Sequence, residues 1–295
     1  LALLQEHADS RFHGKHQLEV DTGLGVLSMI PTVRRVGPLV PVEVRDSSSG
    51  VLGGAAALRK ALPDITPPDA RGNRRKAWDR ELAFEAFRSL EADLKVLGRE
   101  LSADGVHSVA VTSAGPAEGK TFTSCNLALA RAAHVPRTLL VDADLRASGI
   151  ARFFNIEPEP GLQDILSGEA RPEDVVQDLT VGDAGVLQVI PSGAPTSQSA
   201  SFLEDEAFQR LLKSARENVD MLIIDTPPLN ILTDAAAIAS QVDAVLLVVR
   251  RGLTDRDALD LTLERLHRTG VPIVSVVLND VVLPKRYASY SHAYS

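Results

Sequence analysis

Residues 113–121 have the composition of a loop that binds phosphate groups. They read Ser-Ala-Gly-Pro-Ala-Glu-Gly-Lys-Thr, and the Gly-Lys-Thr ending lies where a strand-like run passes into a helical pattern. Backbone N–H groups at the start of a helix attract anions, and a lysine and a hydroxyl there can reach nucleotide phosphates and Mg²⁺. We therefore predict that Lys120 contacts the outer phosphates and that Thr121 binds the metal. Ala114 replaces the first glycine of the standard pattern, so this segment alone is only moderately specific.

Carboxylates follow two later strand-like runs. Asp142 and Asp144 come directly after the apolar run 138–141, and Asp225 follows the apolar run 221–224. Carboxylate oxygens suit a hard cation, and a carboxylate can also accept the proton of a reacting hydroxyl. We predict that Asp142 and Asp225 join the loop threonine as metal ligands, and that Asp142 or Asp144 acts as a base. Taken alone, each position would also suit a polar strand end that caps a helix.

The three tyrosines of the chain all lie among its last nine residues, at Tyr287, Tyr290 and Tyr294. Tyrosines that pack in a core would be scattered along the chain, whereas this end is rich in Ser and Ala and has little to pack against. A chain terminus can also enter the active site of another molecule. The tail is therefore predicted to be a substrate for modification. The alternative is a frayed end that carries tyrosines by chance.

Short aliphatic runs alternate with helical patterns from residue 106 onward. The sequence predicts strands at 106–112, 138–141, 186–190, 221–224, 244–249 and 273–278, and helices at 121–134, 161–166, 173–177, 205–218, 234–240 and 255–269. Aliphatic strands that alternate with helices are typical of a parallel sheet covered on both faces, in which ligands lie at the carboxyl ends of the strands. The predicted fold is therefore α/β, a P-loop NTPase with a mostly parallel sheet.

The first hundred residues are predicted to be less regular. Helices are expected at 15–22 and 75–97 and a strand at 26–30, whereas the many Pro, Gly and Ser residues of 32–73 favour an irregular connection. Residues 34–76 contain nine basic and four acidic residues, a net charge of +5 in a chain whose net charge is −8. This strip could face an anionic membrane surface, and a solvated linker is an equally good explanation.

The overall composition limits the classes of function. Hydrophobic residues make up 44% of the chain, enough for a sizeable core, and the acidic balance argues against general affinity for nucleic acid. A single cysteine excludes a disulfide framework and favours the reducing cytoplasm. The longest apolar runs are too short to span a bilayer. The chain begins with Leu rather than Met, so we expect it to be a piece of a longer protein.

Three motifs, in this order, resemble those of the bacterial tyrosine kinase (BY-kinase) family, the cytoplasmic domains of polysaccharide co-polymerases. They are Ser-Ala-x-Pro-x-x-Gly-Lys-Thr, Asp-Ala-Asp-Leu-Arg and Ile-Ile-Asp-Thr-Pro-Pro. The resemblance runs from about Glu81 to the end, and residues 22–31 resemble the segment that follows the second transmembrane helix of the family. It implies an ATP-dependent protein-tyrosine autokinase that regulates capsule or exopolysaccharide polymerisation and export. Its location would be the cytoplasmic face of the bacterial inner membrane.

The resemblance also implies roles for individual residues and partners. In the family the paired carboxylates serve Mg²⁺ and the attacking hydroxyl, an asparagine that ends the last strand contacts adenine, and the tail tyrosines are the autophosphorylation substrate. The residues expected to bind ATP and Mg²⁺ are Gly115, Pro116, Ala117, Glu118, Gly119, Lys120, Thr121, Phe122, Asp225 and Asn279. The implied partners are a second copy that acts in trans through the tail, the upstream transmembrane co-polymerase region and a protein-tyrosine phosphatase, with no nucleic acid.

Four segments are expected along the chain. They are a membrane-proximal stub at 1–31, an irregular basic linker at 32–74, the P-loop kinase domain at 75–282 and the tyrosine-bearing tail at 283–295.

One departure from the family concerns assembly. Members typically carry Glu-x-x-Arg-x-x-Arg on the helix before the kinase core, and this motif joins neighbouring subunits into a ring. Here Glu85 and Arg88 match the motif, but Glu91 replaces its second arginine. Arg88 can pair with either acid in its own helix, and Glu91 would repel an acidic surface of a neighbour. We therefore expect the fragment to be monomeric or weakly associating.

Two other functions remain open from the sequence. ATPases of the ParA and MinD type share the predicted fold, but they carry a signature lysine five positions before the loop lysine, where this chain has Gly115. The other alternative is a nucleotide-sensing scaffold that controls polymer length through assembly and has no kinase activity. The tyrosine-bearing tail favours the kinase over both.

Overall fold

Nine strands form a single sheet in the described part of the chain. The structure, a computed structural model, describes residues 11–33, 37–45, 72–101, 105–135, 137–183, 185–196, 202–203, 205–231 and 234–282. The strands are β1 (Val26–Pro31), β2 (Val42–Val44), β3 (Ser108–Ser113), β4 (Thr138–Asp142), β5 (Gln177–Val181), β6 (Gly185–Ile190), β7 (Met221–Asp225), β8 (Ala244–Arg250) and β9 (Ile273–Val281). Their order across the sheet is β1-β9-β8-β3-β7-β4-β6-β5-β2. Along this order, every neighbouring pair between β1 at one edge and β6 is parallel. The two pairs that β5 makes, with β6 and with β2, are antiparallel.

Helices connect most of the strands and cover the sheet. In chain order they are α1 (Lys15–Thr22), α2 (Gly72–Leu101), α3 (Lys120–Ala132), α4 (Ile150–Phe154), α5 (Leu162–Ser167), α6 (Pro172–Val175), α7 (Glu206–Asn218), α8 (Asp234–Ala239) and α9 (Arg256–Thr269). Aspartates begin two of the longer ones, because the Asp205 and Asp255 side chains accept hydrogen bonds from backbone N–H groups in the first turns of α7 and α9. None of the described helices is both long and apolar enough to cross a bilayer.

The core lies on both faces of the sheet. Successive side chains of a strand point to opposite faces. In β3, Val109 and Val111 accordingly pack in one hydrophobic cluster, and Ala110 packs in the other. All six residues of β3 are buried. The predicted mostly parallel sheet with helices on both faces is confirmed.

The edges of the sheet come from segments that the composition separated from the main domain. β1 pairs with β9, with Val26 opposite Val276, and β2 pairs with β5, with Val42 opposite Val181. The Ser28 hydroxyl also donates to a backbone carbonyl of α2 at 3.2 Å. Residues on both sides of the boundaries expected at 31 and 74 therefore belong to the same sheet and its covering helix. A segment rich in Pro and Gly can still supply a short edge strand.

The predicted helix at 173–177 extends too far. Helix α6 ends at Val175, and Gln177 begins β5. In β5 the side chains of Leu179 and Val181 are buried and Thr180 between them is only half-buried, an alternation typical of a strand with one face on the core. The short helix α4 was not predicted, whereas α2 is longer at both ends than the predicted 75–97.

An ion-pair cluster joins α2 to α3. The Glu91 carboxylate contacts the Arg131 guanidinium and lies 2.8 Å from Lys95 Nζ, and the Glu91 and Arg131 side chains are only 13% and 10% exposed. Burial alone would raise the pKa of Glu91, but the hydrogen bonds from Lys95 and Arg131 outweigh it and lower the pKa. Arg88 pairs with Glu85 at 2.7 Å. Glu91 was expected to repel an acidic surface of a neighbour, but its charge is neutralised within its own chain. The weak association of the fragment stays a prediction.

Glu91→Ala is expected to destabilise the fold by about 2–3 kcal/mol, because it leaves the guanidinium of Arg131 largely buried without its carboxylate. Urea unfolding followed by circular dichroism measures the change. The matched control is Glu85→Ala on the same helix, which breaks an exposed pair and should cost about 0.5 kcal/mol or less. Equal losses for the two variants would contradict a stabilising role for the Glu91 cluster.

Candidate functional site

The loop at residues 113–121 connects β3 to α3. Lys120 and Thr121 are the first residues of α3, and Gly119 precedes the helix without a side-chain cap. The backbone N–H groups of this helix end can therefore bind an anion. Gly119 has a φ of +102°, and a Cβ on it would lie 2.1 Å from Asn279 Nδ2. Only glycine fits here, because the backbone is left-handed and Asn279 touches it.

Thr121, Asp142 and Asp225 meet at the carboxyl ends of two neighbouring strands. Asp142 of β4 and Asp225 of β7 are directly opposite in the parallel ladder. The Thr121 hydroxyl donates to Asp225 Oδ2 at 2.6 Å. The other oxygen of this carboxylate, Oδ1, is buried and has no hydrogen-bond partner among the described residues. This set of oxygen donors with one unpartnered carboxylate oxygen fits a hard divalent cation such as Mg²⁺.

Asp142 also organises the turn that leads into α4. Its Oδ2 accepts hydrogen bonds from the Ser148 hydroxyl at 3.0 Å and from two backbone N–H groups at the start of α4, at 3.3 and 3.2 Å. Its Oδ1 accepts from the Asp144 N–H at 3.2 Å. Asp142 is fully buried, whereas Asp144 is half-buried. Asp142 thus has the helix-capping contacts that the sequence left open as an alternative. It also lies beside Asp225, so capping and metal binding are both compatible with its position.

Burial perturbs both carboxyl groups. It raises the pKa of Asp142 to about 6, against which the hydrogen bonds from the α4 turn act. Burial, together with the negative charge of Asp142, raises the pKa of Asp225 to about 7. Two buried acids side by side are costly to ionise, and a cation between them would relieve that cost. The electrostatics and the oxygen donors point to the same kind of ligand.

A cavity of about 290 Å³ opens beside the loop, between the ends of β1 and β9. The described residues that line it are Pro31, Thr32, Val33, Ala117, Gly119, Lys120, Thr121, Phe122, Arg250, Asn279 and Asp280. Six of the residues expected to contact a nucleotide therefore surround one space: Ala117, Gly119, Lys120, Thr121, Phe122 and Asn279. Gly115, Pro116 and Glu118 lie outside this lining, and so do Asp142, Asp144 and Asp225.

Asn279 contacts the loop as well as the cavity. Its Nδ2 donates to the Glu118 carbonyl at 2.9 Å, and its Oδ1 accepts from the Asp280 N–H at 2.8 Å. The side chain is thereby fixed at the rim, where the resemblance placed an adenine contact.

The sequence patterns did not indicate two residues that line this site, Arg250 and Asp280. Arg250 ends β8 and Asp280 lies near the end of β9, and the Arg250 guanidinium contacts Asp280 Oδ2 through Nε at 3.1 Å and Nη2 at 3.0 Å. The available signal was their position, since polar residues at the carboxyl ends of predicted parallel strands face the ligand edge. That rule was applied to Asp142 and Asp225 and not to the later strands.

The tail tyrosines Tyr287, Tyr290 and Tyr294 lie outside the described residues, so their role stays a prediction.

Comparison with known proteins decides the family. Residues 108–262 match the family model of the AAA domain. Tyrosine-protein kinase CpsD of Streptococcus agalactiae is 32% identical to this chain over 198 residues, which are 67% of this chain and 83% of that protein. The chain belongs to the bacterial tyrosine-protein kinase family. Tyrosine-protein kinase ptk of Acinetobacter johnsonii is 31% identical over 281 residues, which are 95% of this chain and 34% of that protein. The chain thus spans about a third of the length of this longer family member.

The solved structures agree with membership of the kinase family. The kinase domain of Escherichia coli tyrosine kinase ETK matches with a TM-score of 0.68 at 28% identity, and the match covers 88% of this chain and 91% of that domain. The predicted fold class, an α/β P-loop NTPase, and the predicted family are both confirmed.

Proposed function

We propose that this chain is an ATP-dependent protein-tyrosine autokinase that phosphorylates its own C-terminal tyrosines. The observation that carries the proposal is the meeting of Lys120, Thr121 and the two buried carboxylates Asp142 and Asp225 at one edge of the sheet, in a member of a tyrosine-kinase family. All tyrosines of the chain lie in the tail beyond residue 282. The cavity beside the loop offers room for the nucleoside part of ATP.

The loop residues position the triphosphate and balance its charge. Backbone N–H groups at the start of α3 bind the phosphates, and the Lys120 ammonium compensates the negative charge of the group being transferred. Thr121 and Asp225 are the residues that would hold Mg²⁺, with Asp142 beside them. When bound, the metal neutralises charge on the phosphates. The protein's own contribution is mainly positioning and charge compensation.

Asp144 is the better candidate for the base. Transfer forms a bond between the phenol oxygen and the γ-phosphorus, breaks the bond to the ADP oxygen and releases the phenol proton. A tyrosine hydroxyl has an ordinary pKa near 10, so a nearby carboxylate must accept this proton during transfer. Asp142 is fully buried and already accepts four hydrogen bonds. Asp144 is half-buried, so an incoming side chain can reach it.

The wider role follows from the family resemblance of the motifs. In this proposal the chain works at the cytoplasmic face of the inner membrane, attached to a transmembrane co-polymerase region, and regulates polysaccharide polymerisation and export. A neighbouring copy presents its tail in trans, and a protein-tyrosine phosphatase reverses the modification. The similarity of residues 22–31 to the segment that follows a transmembrane helix in the family supports the membrane attachment.

Incubation of the purified chain with Mg-ATP, followed by mass spectrometry of the C-terminal peptide, tests the proposed activity. Phosphotyrosine at Tyr287, Tyr290 or Tyr294 is the expected result. Release of inorganic phosphate without phosphotyrosine would replace the kinase with an ATPase switch. Nucleotide binding without either product would favour the scaffold and would equally contradict the proposal.

Asp225→Asn is expected to stabilise the nucleotide-free protein and to weaken its response to Mg²⁺. Removing one of two adjacent buried acids should raise the free energy of unfolding by about 1–3 kcal/mol, because a buried charge no longer has to be desolvated. The amide oxygen can still accept from the Thr121 hydroxyl, so the fold keeps this contact. Thermal unfolding with and without Mg-ADP measures both effects. A variant that is less stable without ligand but keeps the full Mg²⁺-dependent increase would contradict the assignment of Asp225 as a metal ligand.

A further inference from the structure

The connection between β8 and α9, residues 250–256, contacts the phosphate-binding loop at two points. The Arg250 Nη1 donates to the Ala117 carbonyl at 2.8 Å, and the Thr254 hydroxyl donates to Glu118 Oε1 at 2.7 Å. Ala117 and Glu118 form the turn of the loop directly before Gly119. Two consecutive loop residues are therefore held from outside the loop, one through its backbone and one through its side chain.

Each of the two contacting side chains is itself fixed. The Arg250 guanidinium binds Asp280 Oδ2 through Nε and Nη2, which leaves Nη1 directed at the loop. The Thr254 hydroxyl accepts from the Arg250 N–H at 2.9 Å, so its single proton is directed at Glu118. Thr254 is 1% exposed, and Glu118 is 3% exposed. Because both partners of the Thr254–Glu118 bond are buried, water cannot replace it without cost.

The held turn has a backbone shape that it would not adopt freely. Ala117 has a φ of +60° and Gly119 a φ of +102°, and both lie in the left-handed region that alanine in particular avoids. Glu118 lies between the two left-handed residues, and its buried carboxylate oxygen Oε2 has no hydrogen-bond partner within the described ranges. The Glu118 carboxylate also interacts with the backbone N–H groups of Ala114 and Gly115 within the loop, and Thr254 supplies its side-chain hydrogen bond from outside the loop.

We propose that Arg250, Thr254 and Glu118 form a brace that presets the phosphate-binding loop, and that Thr254 is a positioning residue for nucleotide binding. The inference rests on the proposed function, since it assumes that the loop binds ATP. Thr254 does not touch the nucleotide site, because it lies beneath the loop and is absent from the lining of the cavity. Its effect passes through the backbone of the turn. In the braced loop this backbone already has the shape that binds phosphate, whereas a loop without the brace must become ordered when the nucleotide binds.

Thr254→Val is the variant that tests the brace, since it keeps the shape of the side chain and removes the hydroxyl. The dissociation constant of the Mg complex of a non-hydrolysable ATP analogue, measured by titration calorimetry, is expected to rise by about tenfold or more, as for a lost hydrogen bond to a charged group. Thr254→Ser restores the hydroxyl and should bind within about twofold of the unmodified chain. Thr262→Val is the matched control, because Thr262 of α9 is also buried and its hydroxyl donates only within its own helix, to Ala258 O at 2.7 Å.

The outcomes separate positioning from stability and from the proposed function. A residue that merely stabilises the fold would lower the midpoint of thermal unfolding in Thr254→Val and Thr262→Val alike and leave analogue affinity unchanged, which would overturn the brace. If Thr254→Val does not fold, Thr254→Ala gives the same test, because alanine also removes the hydroxyl and position 254 lies outside the cavity lining. Unchanged affinity in that folded variant also overturns the brace. An unmodified chain that binds the analogue but forms no phosphotyrosine contradicts the kinase and leaves the brace supported, whereas failure to bind overturns both.

Discussion

Lys120→Met is expected to abolish tyrosine phosphorylation in a protein that remains folded. Lys120 is only 8% exposed and lines the cavity, so its ammonium is held where the transferred group would lie. Loss of one preorganised positive or donor group at a reacting centre commonly reduces the rate by about 10²–10³-fold, and methionine keeps most of the side-chain volume. Phosphotyrosine formed per unit time, followed by mass spectrometry of the tail peptide, measures the effect.

Lys213→Met is the matched control for this substitution. Lys213 lies exposed on α7, away from the loop, so the same change in charge and shape should leave the phosphorylation rate unaltered. Circular dichroism and thermal unfolding of both variants establish that each is folded. Phosphorylation of Lys120→Met at a rate near that of the unmodified chain would remove Lys120 from the mechanism.

Replacement of Tyr287, Tyr290 and Tyr294 together by Phe is expected to eliminate phosphotyrosine completely and to leave nucleotide affinity unchanged. The chain has no other tyrosine, so every phosphotyrosine that it forms on itself must lie in the tail. Phenylalanine keeps the ring and removes the acceptor oxygen. Titration calorimetry with the ATP analogue gives the affinity. A large loss of affinity would show that the tail belongs to the nucleotide site and is not simply a substrate.

Mixing the two variants determines whether the transfer occurs between chains. The triple Phe variant has an intact loop and no acceptor, whereas Lys120→Met has an intact tail and an impaired loop. Phosphotyrosine on the Lys120→Met chain, appearing only in the mixture and increasing with concentration, is the result expected for transfer in trans. A mixture without phosphotyrosine, under conditions in which the unmodified chain reacts, would restrict the reaction to a single chain.

The sequence predicted where the polar residues of the site meet better than it predicted the contacts that hold them in place. The loop, Asp142 and Asp225 follow aliphatic strands whose alternation with helices is local and strong, so their meeting at one edge of the sheet could be inferred from strand direction alone. For the same reason the predicted bounds of β3, β4, β6, β7 and β8 lie within two residues of the observed ones, and β9 extends three residues beyond its predicted end. Boundaries of this kind depend on the residues themselves more than on their distant neighbours.

The remaining features depend on partners far away in the chain. The pairing of β2 with β5 joins two short strands whose sequence patterns are weak, and neither pattern predicts the pairing. Thr254 and Glu118 are ordinary polar residues until the fold buries them against each other. Glu91 looked like a surface acid on a helix because Arg131, which neutralises it, lies on a different helix. Such pairs are set by tertiary packing, which a pattern along one segment does not contain.

The cavity wall has a consequence for the order in which the protein becomes able to bind ligands. Its lining joins the end of β1 at Pro31 and the next two residues, Thr32 and Val33, to Asn279 and Asp280 of β9. The first and last strands of the described chain, β1 and β9, are hydrogen-bonded neighbours. During synthesis the β1 side of the cavity is made long before the β9 side, and contacts between distant segments form only when both segments have been made. A growing chain therefore cannot enclose a ligand there until β9 has left the ribosome. The tyrosines follow that strand directly, so a chain that is long enough to present them already contains every part of the cavity.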